Sequence, residues 1–344
     1  MSKRPPAKRA ALNSPRSGGF KVGTSVLTSL GSRTTGRASG LKINQQKMVQ
    51  EIGRLKNELD AVLLVHNYQT GAIQDLADYL GDSLGLSQQA ARTSNPVIVF
   101  CGVKFMAETA KILSPDKTVL LPRLDADCPM AQMVDVESLK VLKAKHPDAM
   151  VVTYVNSTAE VKAESDVCCT SANAVQVVQN IEADKIIFTP DRNLAAYVQR
   201  FTEKTIIPWD GFCYVHNRFD PDEVAQAKAA YPDAVLMVHP ECHSDVIDLA
   251  DEVLSTGGMV RVARVSTADT FLVATEEGIL YRLKKENPNK TFLSAGPAKT
   301  CRGMKVTRLE DIYLALLKTQ HTIQIQEDIA SRAKTALERM LTYA

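Results

Sequence analysis

The feature that most constrains this chain is a threefold internal repeat. A short apolar run ending on an aromatic polar residue recurs at residues 62–66, 150–154 and 235–239, with spacings of 88 and 85 residues. A hydroxyl residue, a second apolar run and a cysteine recur in the same register. A period this long, with strand and helix patterns alternating inside it, predicts three copies of a small α/β unit rather than a solenoid. The hydroxyl residues are Ser83, Ser171 and Thr256, and the cysteines are Cys128, Cys213 and Cys301.

Each copy alternates short apolar strands with helical patterns, which predicts parallel sheets covered on both faces. We therefore expect an α/β fold of three similar three-layer domains, produced by internal triplication. The expected units are residues 43–128, 129–213 and 214–320, followed by a C-terminal helix at 321–344. The predicted strands are 62–66, 97–100 and 118–121 in the first unit, 150–154, 185–188 and 205–207 in the second, and 235–238, 259–262, 271–274 and 291–293 in the third. The predicted helices include 44–59, 72–80, one from Ser83, 104–113, 309–317 and 323–342.

The charge distribution argues against a nucleic-acid-binding body. The formal net charge of +2 hides an asymmetry, because residues 1–50 hold ten Lys or Arg and no Asp or Glu. The remainder holds 31 basic and 39 acidic residues, a net charge of −8. A negatively charged body is not suited to binding phosphate backbones. No apolar run approaches 18 residues, so a membrane span is not expected either.

The N-terminal composition and the cysteines bear on the cellular compartment. Residues 1–42 lack periodicity, which predicts a disordered basic tail. An organellar transit peptide, and with it a plastid location, is the alternative to an extension of a cytoplasmic protein. The seven cysteines are not clustered like a secreted disulfide framework, and no apolar signal peptide is present. A reducing compartment, the cytoplasm, fits best.

The candidate binding residues follow the first strand of each unit. His66, Tyr154 and His239 close these strands, and ligands of open parallel sheets bind beyond the carboxyl ends of the strands. Ser83, Ser171 and Thr256 each precede a helical pattern, which predicts N-cap positions that attract anions. The alternative is ordinary capping without a ligand.

The three cysteines in register are candidate metal ligands. If the units pack around a common axis, Cys128, Cys213 and Cys301 meet on it. Structural zinc usually takes four protein ligands, whereas three thiolates suit a [4Fe–4S] cluster that keeps one iron open. The other four cysteines break the register and are expected to be structural, with Cys242 between Glu241 and His243 as the one to watch. His216 follows Cys213 by three residues and either faces the same cavity or is a polar loop residue.

These residues resemble the quinolinate synthase family over about residues 45–320. The matching segments are 66–69 (HNYQ), 81–84 (GDSL), 102–108 (GVKFMAE), 111–115, 154–156 (YVN), 170–173 (TSAN), 190–194 (PDRNL), 209–211 with Cys213 and His216, 239–242 (HPEC), 255–257, and Cys301 with Met304-Lys305. The resemblance implies three α/β domains around a pseudo-threefold axis. It also implies a [4Fe–4S] cluster held by Cys128, Cys213 and Cys301, in agreement with the repeat.

The resemblance further implies an activity in NAD biosynthesis. Iminoaspartate condenses with dihydroxyacetone phosphate to quinolinate, with loss of phosphate and water, and the open iron acts as a Lewis acid. An L-aspartate oxidase or dehydrogenase is the expected source of iminoaspartate. Glu241, Tyr68 and His239 are the residues expected to take part in proton transfer. The substrate-contacting positions fall on His66, Tyr68, Ser83, Tyr154, Asn156, Ser171, His216, His239, Glu241 and Thr256.

Two other functions remain open at this point. One is a different iron–sulfur hydro-lyase acting on a small carboxylate, which would share the cluster but not need dihydroxyacetone phosphate. The other is a triplicated α/β ligand-binding protein with an iron–sulfur or redox-sensing role. A dinucleotide-binding or P-loop protein is not supported, because neither glycine fingerprint is present.

Overall fold

Three parallel four-stranded sheets make up the body of the protein. The computed structural model describes the backbone of residues 35–343 and the side chains of residues 45–343. Its strands are β1 Ala61–His66, β2 Tyr79–Gly81, β3 Val97–Cys101, β4 Thr118–Leu120, β5 Met150–Tyr154, β6 Val167–Cys169, β7 Lys185–Thr189, β8 Thr205–Pro208, β9 Val235–Val238, β10 Glu252–Val253, β11 Thr270–Ala274 and β12 Thr291–Ser294. The sheets have the orders β2-β1-β3-β4, β6-β5-β7-β8 and β10-β9-β11-β12, so all three share one topology. The α/β class and the three similar domains are confirmed.

The helices surround these sheets. They are α1 Thr35–Glu58, α2 Gly71–Gln74, α3 Ser83–Arg92, α4 Lys104–Leu113, α5 Val136–Lys145, α6 Ala159–Ala163, α7 Ala174–Asn180, α8 Arg192–Gln199, α9 Pro221–Ala230, α10 Ser244–Ile247, α11 Thr256–Val265, α12 Ile279–Glu286, α13 Arg302–Lys305, α14 Leu309–Lys318 and α15 Glu327–Thr342. Within residues 35–343, no helix combines the length and the apolar character that crossing a membrane requires. The sequence predicts a tail at residues 1–42, and residues 1–34 of it lie outside the part of the chain that the structure describes.

One apolar core joins the three sheets. Phe100 of β3, Phe188 of β7 and Phe271 of β11 are almost fully buried in it. The opposite face of each sheet has its own smaller core, as where Leu63 of β1 packs with Ile312 of α14. Because side chains alternate between the two faces of a strand, apolar residues at successive positions bury both faces. The three sheets are thereby held around a common interior.

Each sheet contains an edge strand that the sequence analysis missed. The helix predicted at 72–80 is wrong, because α2 ends at Gln74 and β2 occupies residues 79–81. Asp78 explains the change, since its carboxylate accepts a hydrogen bond from the backbone N–H of Leu63 at 2.8 Å and fixes the new strand beside β1. Asp166 and Asp251 bind the first strands of their own sheets in the same way, at 2.7 and 2.8 Å.

The strand predicted at 259–262 is also wrong. This segment lies in α11, and its β-branched residues suggested a strand because periodicity is ambiguous over four positions. Ser255 caps the helix by accepting a hydrogen bond from Gly258 N at 3.2 Å. Met259 and Ala263, four positions apart on one face, are fully buried. Burial of one helical face decides the structure here.

Candidate active site

A cavity that is partly open to solvent lies where the carboxyl ends of the strands meet. Residues from all three units line it, as ligand sites at strand ends predict. It brings together the predicted residues His66, Tyr68, Ser83, Tyr154, Asn156, Ser171, His216, His239, Glu241 and Thr256, and the cysteines Cys128, Cys213 and Cys301. The cavity wall also contains apolar residues that the threefold register did not single out, namely Leu84, Val103, Phe105, Met106, Val215 and Met304.

Glu241 lies at the centre of a buried cluster with two histidines. Its Oε2 is 2.5 Å from Nδ1 of His216 and 3.5 Å from Nδ1 of His239. The two imidazole rings stack with their centroids 4.4 Å apart. Burial acts to raise the pKa of Glu241, but the neighbouring His216 and a hydrogen bond from Tyr154 outweigh it and hold the pKa below its usual range. Glu241 is therefore a carboxylate near neutral pH and can accept a proton.

Two buried oxygens in this region have no hydrogen-bond partner among the described residues. They are Oε1 of Glu241 and Oδ1 of Asn156. A buried acceptor without a partner costs free energy of about 1–3 kcal/mol. Both residues line the cavity, so a bound molecule with N–H or O–H groups would satisfy these oxygens.

The two strand-end histidines each accept a backbone hydrogen bond on the same ring atom, Nδ1. Nδ1 of His66 accepts a hydrogen bond from Tyr68 N at 3.2 Å, and Nδ1 of His239 accepts one from Glu241 N at 3.4 Å. Burial lowers the pKa of His66 to about 4 and that of His239 to about 3. Both rings are therefore neutral near pH 7, and with Nδ1 accepting, the proton is on Nε2. Each Nε2–H can donate to a ligand.

Tyr68 belongs to a hydroxyl network that the sequence did not reveal. Its hydroxyl lies 2.5 Å from Oγ1 of Thr275, which is in turn 2.8 Å from Nε2 of His216. Burial raises the pKa of Tyr68 well above its usual value, and the nearby Glu241 adds to the effect. Tyr68 is therefore a neutral phenol that can donate a proton. Thr275 has no counterpart in the other repeats, where Gly102 and Pro190 stand at the equivalent positions.

The predicted N-cap positions are wrong. Asp82 and Ser255 cap α3 and α11, and Ser83 and Thr256 are the first residues of these helices. Ser171 lies in the turn before α7. The hydroxyls of Ser83 and Ser171 are consequently not used as caps, while Oγ1 of Thr256 accepts a hydrogen bond from Asn67 Nδ2 at 2.9 Å.

Asp82 occupies two helix N-termini at once. Its Oδ1 accepts from Gly85 N at 2.9 Å, and its Oδ2 accepts from Gly257 N at 3.2 Å and from Ser255 Oγ at 3.0 Å. A side chain at Gly257 would place its Cβ 2.4 Å from Asp82 Oδ2 and would therefore displace this carboxylate. The positive end of α11 is thus already matched by an internal carboxylate, which weakens the expectation of three equivalent anion sites.

The three cysteines in register line the cavity as free thiols, one from each unit. Each follows the last strand of its sheet, in the loops after β4, β8 and β12. Burial raises the pKa of Cys128 to about 12 and that of Cys213 well above its usual value. A bound metal favours thiolates, so three converging thiols fit metal ligands better than reactive nucleophiles.

A second group of possible metal ligands shares Cys213 with the three thiols. Ligand atoms of Cys213, His216 and Glu241 lie within 4.8 Å of one another. However, Nδ1 of His216 is already paired with Glu241 Oε2 at 2.5 Å, so metal binding there would break that contact. The three thiols therefore form the better site for a cluster. The remaining cysteines are Cys101, Cys168, Cys169 and Cys242, and all are buried in apolar cores.

Comparisons with known proteins give one family. Residues 50–342 match the model of the family described as quinolinate synthetase A protein. The chain is 55% identical over 297 residues to the quinolinate synthase of Geotalea uraniireducens (strain Rf4), which covers 86% of this chain and 98% of that relative. It is 54% identical over 292 residues to the quinolinate synthase of Methanoregula boonei (strain DSM 21154 / JCM 14090 / 6A8), covering 85% and 97%. The same name belongs to a protein of Geobacter metallireducens (strain ATCC 53774 / DSM 7210 / GS-15) that is 56% identical over 292 residues, covering 85% and 96%.

Proposed function

This chain belongs to the quinolinate synthase family of NAD-biosynthetic enzymes, and from that premise we propose that it condenses iminoaspartate with dihydroxyacetone phosphate. The products are quinolinate, one phosphate and two waters. The observation that carries the proposal is the convergence of three free cysteines, one per unit, on the cavity that also holds Glu241 and its histidines.

Cys128, Cys213 and Cys301 are proposed to hold a [4Fe–4S] cluster. When bound, such a cluster with one iron free of protein ligands supplies a Lewis acid toward a substrate oxygen. The donor set fits, since three thiols converge and the protein provides no fourth cysteine at the cavity wall among the described residues.

The polar groups of the cavity match the chemistry of the substrates. Iminoaspartate carries an N–H group that the unpaired oxygens of Asn156 and Glu241 can accept. The Nε2–H groups of His66 and His239 can donate to carboxylate oxygens. Ser83, Ser171, Thr256 and Tyr154 also line the cavity and are proposed to contact the substrates.

Glu241 is proposed as the general base and acid. Condensation and ring closure require removal of protons from carbon and nitrogen and the expulsion of hydroxide as water. Glu241 is a carboxylate with one unpaired oxygen, and it can return its proton after abstraction. Tyr68, a neutral phenol at the same wall, is proposed as a proton donor to a leaving oxygen.

An enzyme of this kind needs a supply of a labile imine. We propose that an L-aspartate oxidase or dehydrogenase provides iminoaspartate, and that the protein works in the cytoplasm, where thiols stay reduced. Neither nucleic acid nor a membrane is part of the proposal.

Anaerobic turnover tests the proposed function. Purified, iron-loaded protein is incubated with iminoaspartate and dihydroxyacetone phosphate, and quinolinate is measured. We expect quinolinate from the wild type and a loss of about 100-fold or more in Glu241→Gln, the usual contribution of a positioned acid/base. An iron-loaded wild type that makes no quinolinate, but dehydrates a small hydroxy acid, would support the hydro-lyase alternative instead. A turnover in Glu241→Gln close to that of the wild type would remove Glu241 from the mechanism.

A further inference from the structure

The backbone amide of every cysteine in the cavity donates to a carboxylate. Cys128 N donates to Asp127 Oδ1 at 2.8 Å, and Cys213 N donates to Asp191 Oδ2 at 3.2 Å. Cys301 N donates to Glu276 Oε1 at 3.0 Å. The first carboxylate is the cysteine's own neighbour, but the other two lie far earlier in the chain.

Asp191 and Glu276 occupy related places in the fold. Each follows the third strand of its unit in chain order, β7 or β11, and reaches the cysteine loop that follows the next strand. Both residues are fully buried, with 0% of their surface exposed. Burying a carboxylate is costly unless its oxygens are hydrogen-bonded. The cysteine loops are thus tied to the strand ends that also support the cavity.

The other groups that contact these two carboxylates are also hydrogen-bond donors. Asp191 Oδ1 accepts from Asn193 N at 2.8 Å and from Leu194 N at 2.9 Å. Glu276 accepts from Gly278 N at 2.7 Å and from Lys305 Nζ at 2.9 Å. Lys305 also donates to the carbonyl of Tyr68, so this carboxylate connects the Cys301 loop to the wall of the cavity. Both oxygens of each carboxylate accept from N–H donors. If Asn or Gln replaced the acid, its NH₂ group would face one of these donors and the hydrogen bond would be lost.

We propose that Asp191 and Glu276 are positioning residues that fix Cys213 and Cys301 as cluster ligands and keep the reduction potential of the cluster low. The inference rests on the proposed function. Hydrogen bonds to the sulfurs and nearby charge set the potential of an iron–sulfur cluster. An amide that donates to a carboxylate is not available to a sulfur. Burial raises the pKa of Asp191 and of Glu276, but each accepts backbone N–H donors on both oxygens, which favours the ionised form. In that form each carboxylate adds negative charge beside its cysteine. Both effects favour the oxidised state, the one in which a cluster serves as a Lewis acid.

Two variants and one matched control test this role. Asp191→Asn and Glu276→Gln keep the shape and remove one acceptor oxygen. Asp210→Asn removes a charge three residues before Cys213, but its side chain is 89% exposed and pairs with Arg192. The iron-loaded proteins are compared anaerobically for the rate of iron loss to a chelator and for the reduction potential followed by electron paramagnetic resonance.

We expect iron loss about 10–100-fold faster in Asp191→Asn and Glu276→Gln, the usual cost of removing a partner of a metal ligand. We also expect a more positive potential, whereas Asp210→Asn should match the wild type. A merely structural role would lower the melting temperature without moving the potential. Asp191 also caps α8, so Asp191→Asn risks misfolding. Glu276 caps no helix, and Glu276→Gln then provides the test of the inference.

The outcomes separate this inference from the proposed function. Folded variants with the iron-loss rate and potential of Asp210→Asn would refute the inference and leave the cluster untouched. A wild type that takes up no iron would refute the proposed cofactor, and the inference with it.

Discussion

At the scale of single residues, strict register made most of the cavity predictable. His66 and His239 end or follow first strands, and parallel strands in equivalent units bring such positions to one place. Thr275 and Asp82 were missed for different physical reasons. Thr275 acts through contacts with residues 207 and 59 positions away, which no local pattern reports. Asp82 stands next to a predicted site residue, but its double capping role depends on how two units pack.

Thr275 provides a test of the hydroxyl network. Replacing Thr275 with Val keeps the shape and removes the group between Tyr68 and His216. We expect turnover to fall by about tenfold, because a buried partner left unpaired costs about 1–3 kcal/mol and the Tyr68 phenol loses its orientation. Thr275→Ser, which restores the hydroxyl, should recover most of the rate. Equal rates in the Val and Ser variants would show that the hydroxyl is not needed.

His66 links stability to pH. Burial lowers its folded-state pKa to about 4 from an ordinary value of 6.5, with Asp82, Glu241 and Lys305 as the charged groups facing it. The unfolded chain therefore binds more protons between these values. The contribution of the neutral ring to the free energy of unfolding is fully present above pH 6.5. It is lost as the pH falls toward 4, by at most about 1.4 kcal/mol per pH unit.

The measurement is the difference in melting temperature between the wild type and His66→Gln across pH 5–8. As the pH falls below about 6.5, the melting temperature of the wild type should decrease more than that of His66→Gln, because Gln does not bind a proton. Acid lability of a bound cluster affects both proteins and cancels in the comparison. A difference that stays constant over this range would contradict a lowered pKa.

At the scale of elements, strands with strong apolar runs were predictable and short edge strands were not. β2, β6 and β10 hold two or three residues each, too few for a periodic signal. A further repeat in the sequence could have revealed these strands. Like the hydroxyl residues and the cysteines, Asp78, Asp166 and Asp251 recur with spacings of 88 and 85 residues. Each aspartate fixes an edge strand through the backbone of the neighbouring strand.

Asp82 allows helix capping to be separated from site formation. Asp82→Ala removes the cap of α3 and the contacts to α11, so we expect a loss of about 1 kcal/mol in stability and weaker substrate binding. Asp135→Ala is the matched control, because Asp135 caps α5 on the surface by accepting from Ser138 N at 2.8 Å. It should show the loss of stability with an unchanged KM. If both variants had the same KM as the wild type, Asp82 would be a cap and nothing more.

At the scale of the whole molecule, triplication explains why the site is composite. The inner faces of the three sheets share one core, so each unit is completed by its neighbours. The strand ends then converge, and each unit supplies one cysteine to the same cavity. Register alone was enough to predict this convergence, because equivalent positions in units that share one topology lie at equivalent places. The apolar wall formed by residues such as Phe105 and Met304 could not be predicted from the register, since apolar residues are common at helix starts and most are core.

The seven cysteines give the sharpest test at this scale. Single Ala variants of Cys128, Cys213 and Cys301 should each lose the cluster, and with it quinolinate formation, because two thiolates hold a four-iron cluster poorly. Cys168→Ala is the matched control, since Cys168 is a fully buried residue of β6 in the shared core. It removes one small core side chain and should cost stability while leaving the iron content per chain at the wild-type level. Iron and sulfide are measured after anaerobic reconstitution, together with the absorbance near about 400 nm that iron–sulfur proteins show. A Cys213→Ala protein that kept a full cluster would contradict a site built from one cysteine per unit, and would direct attention to the overlapping donors His216 and Glu241.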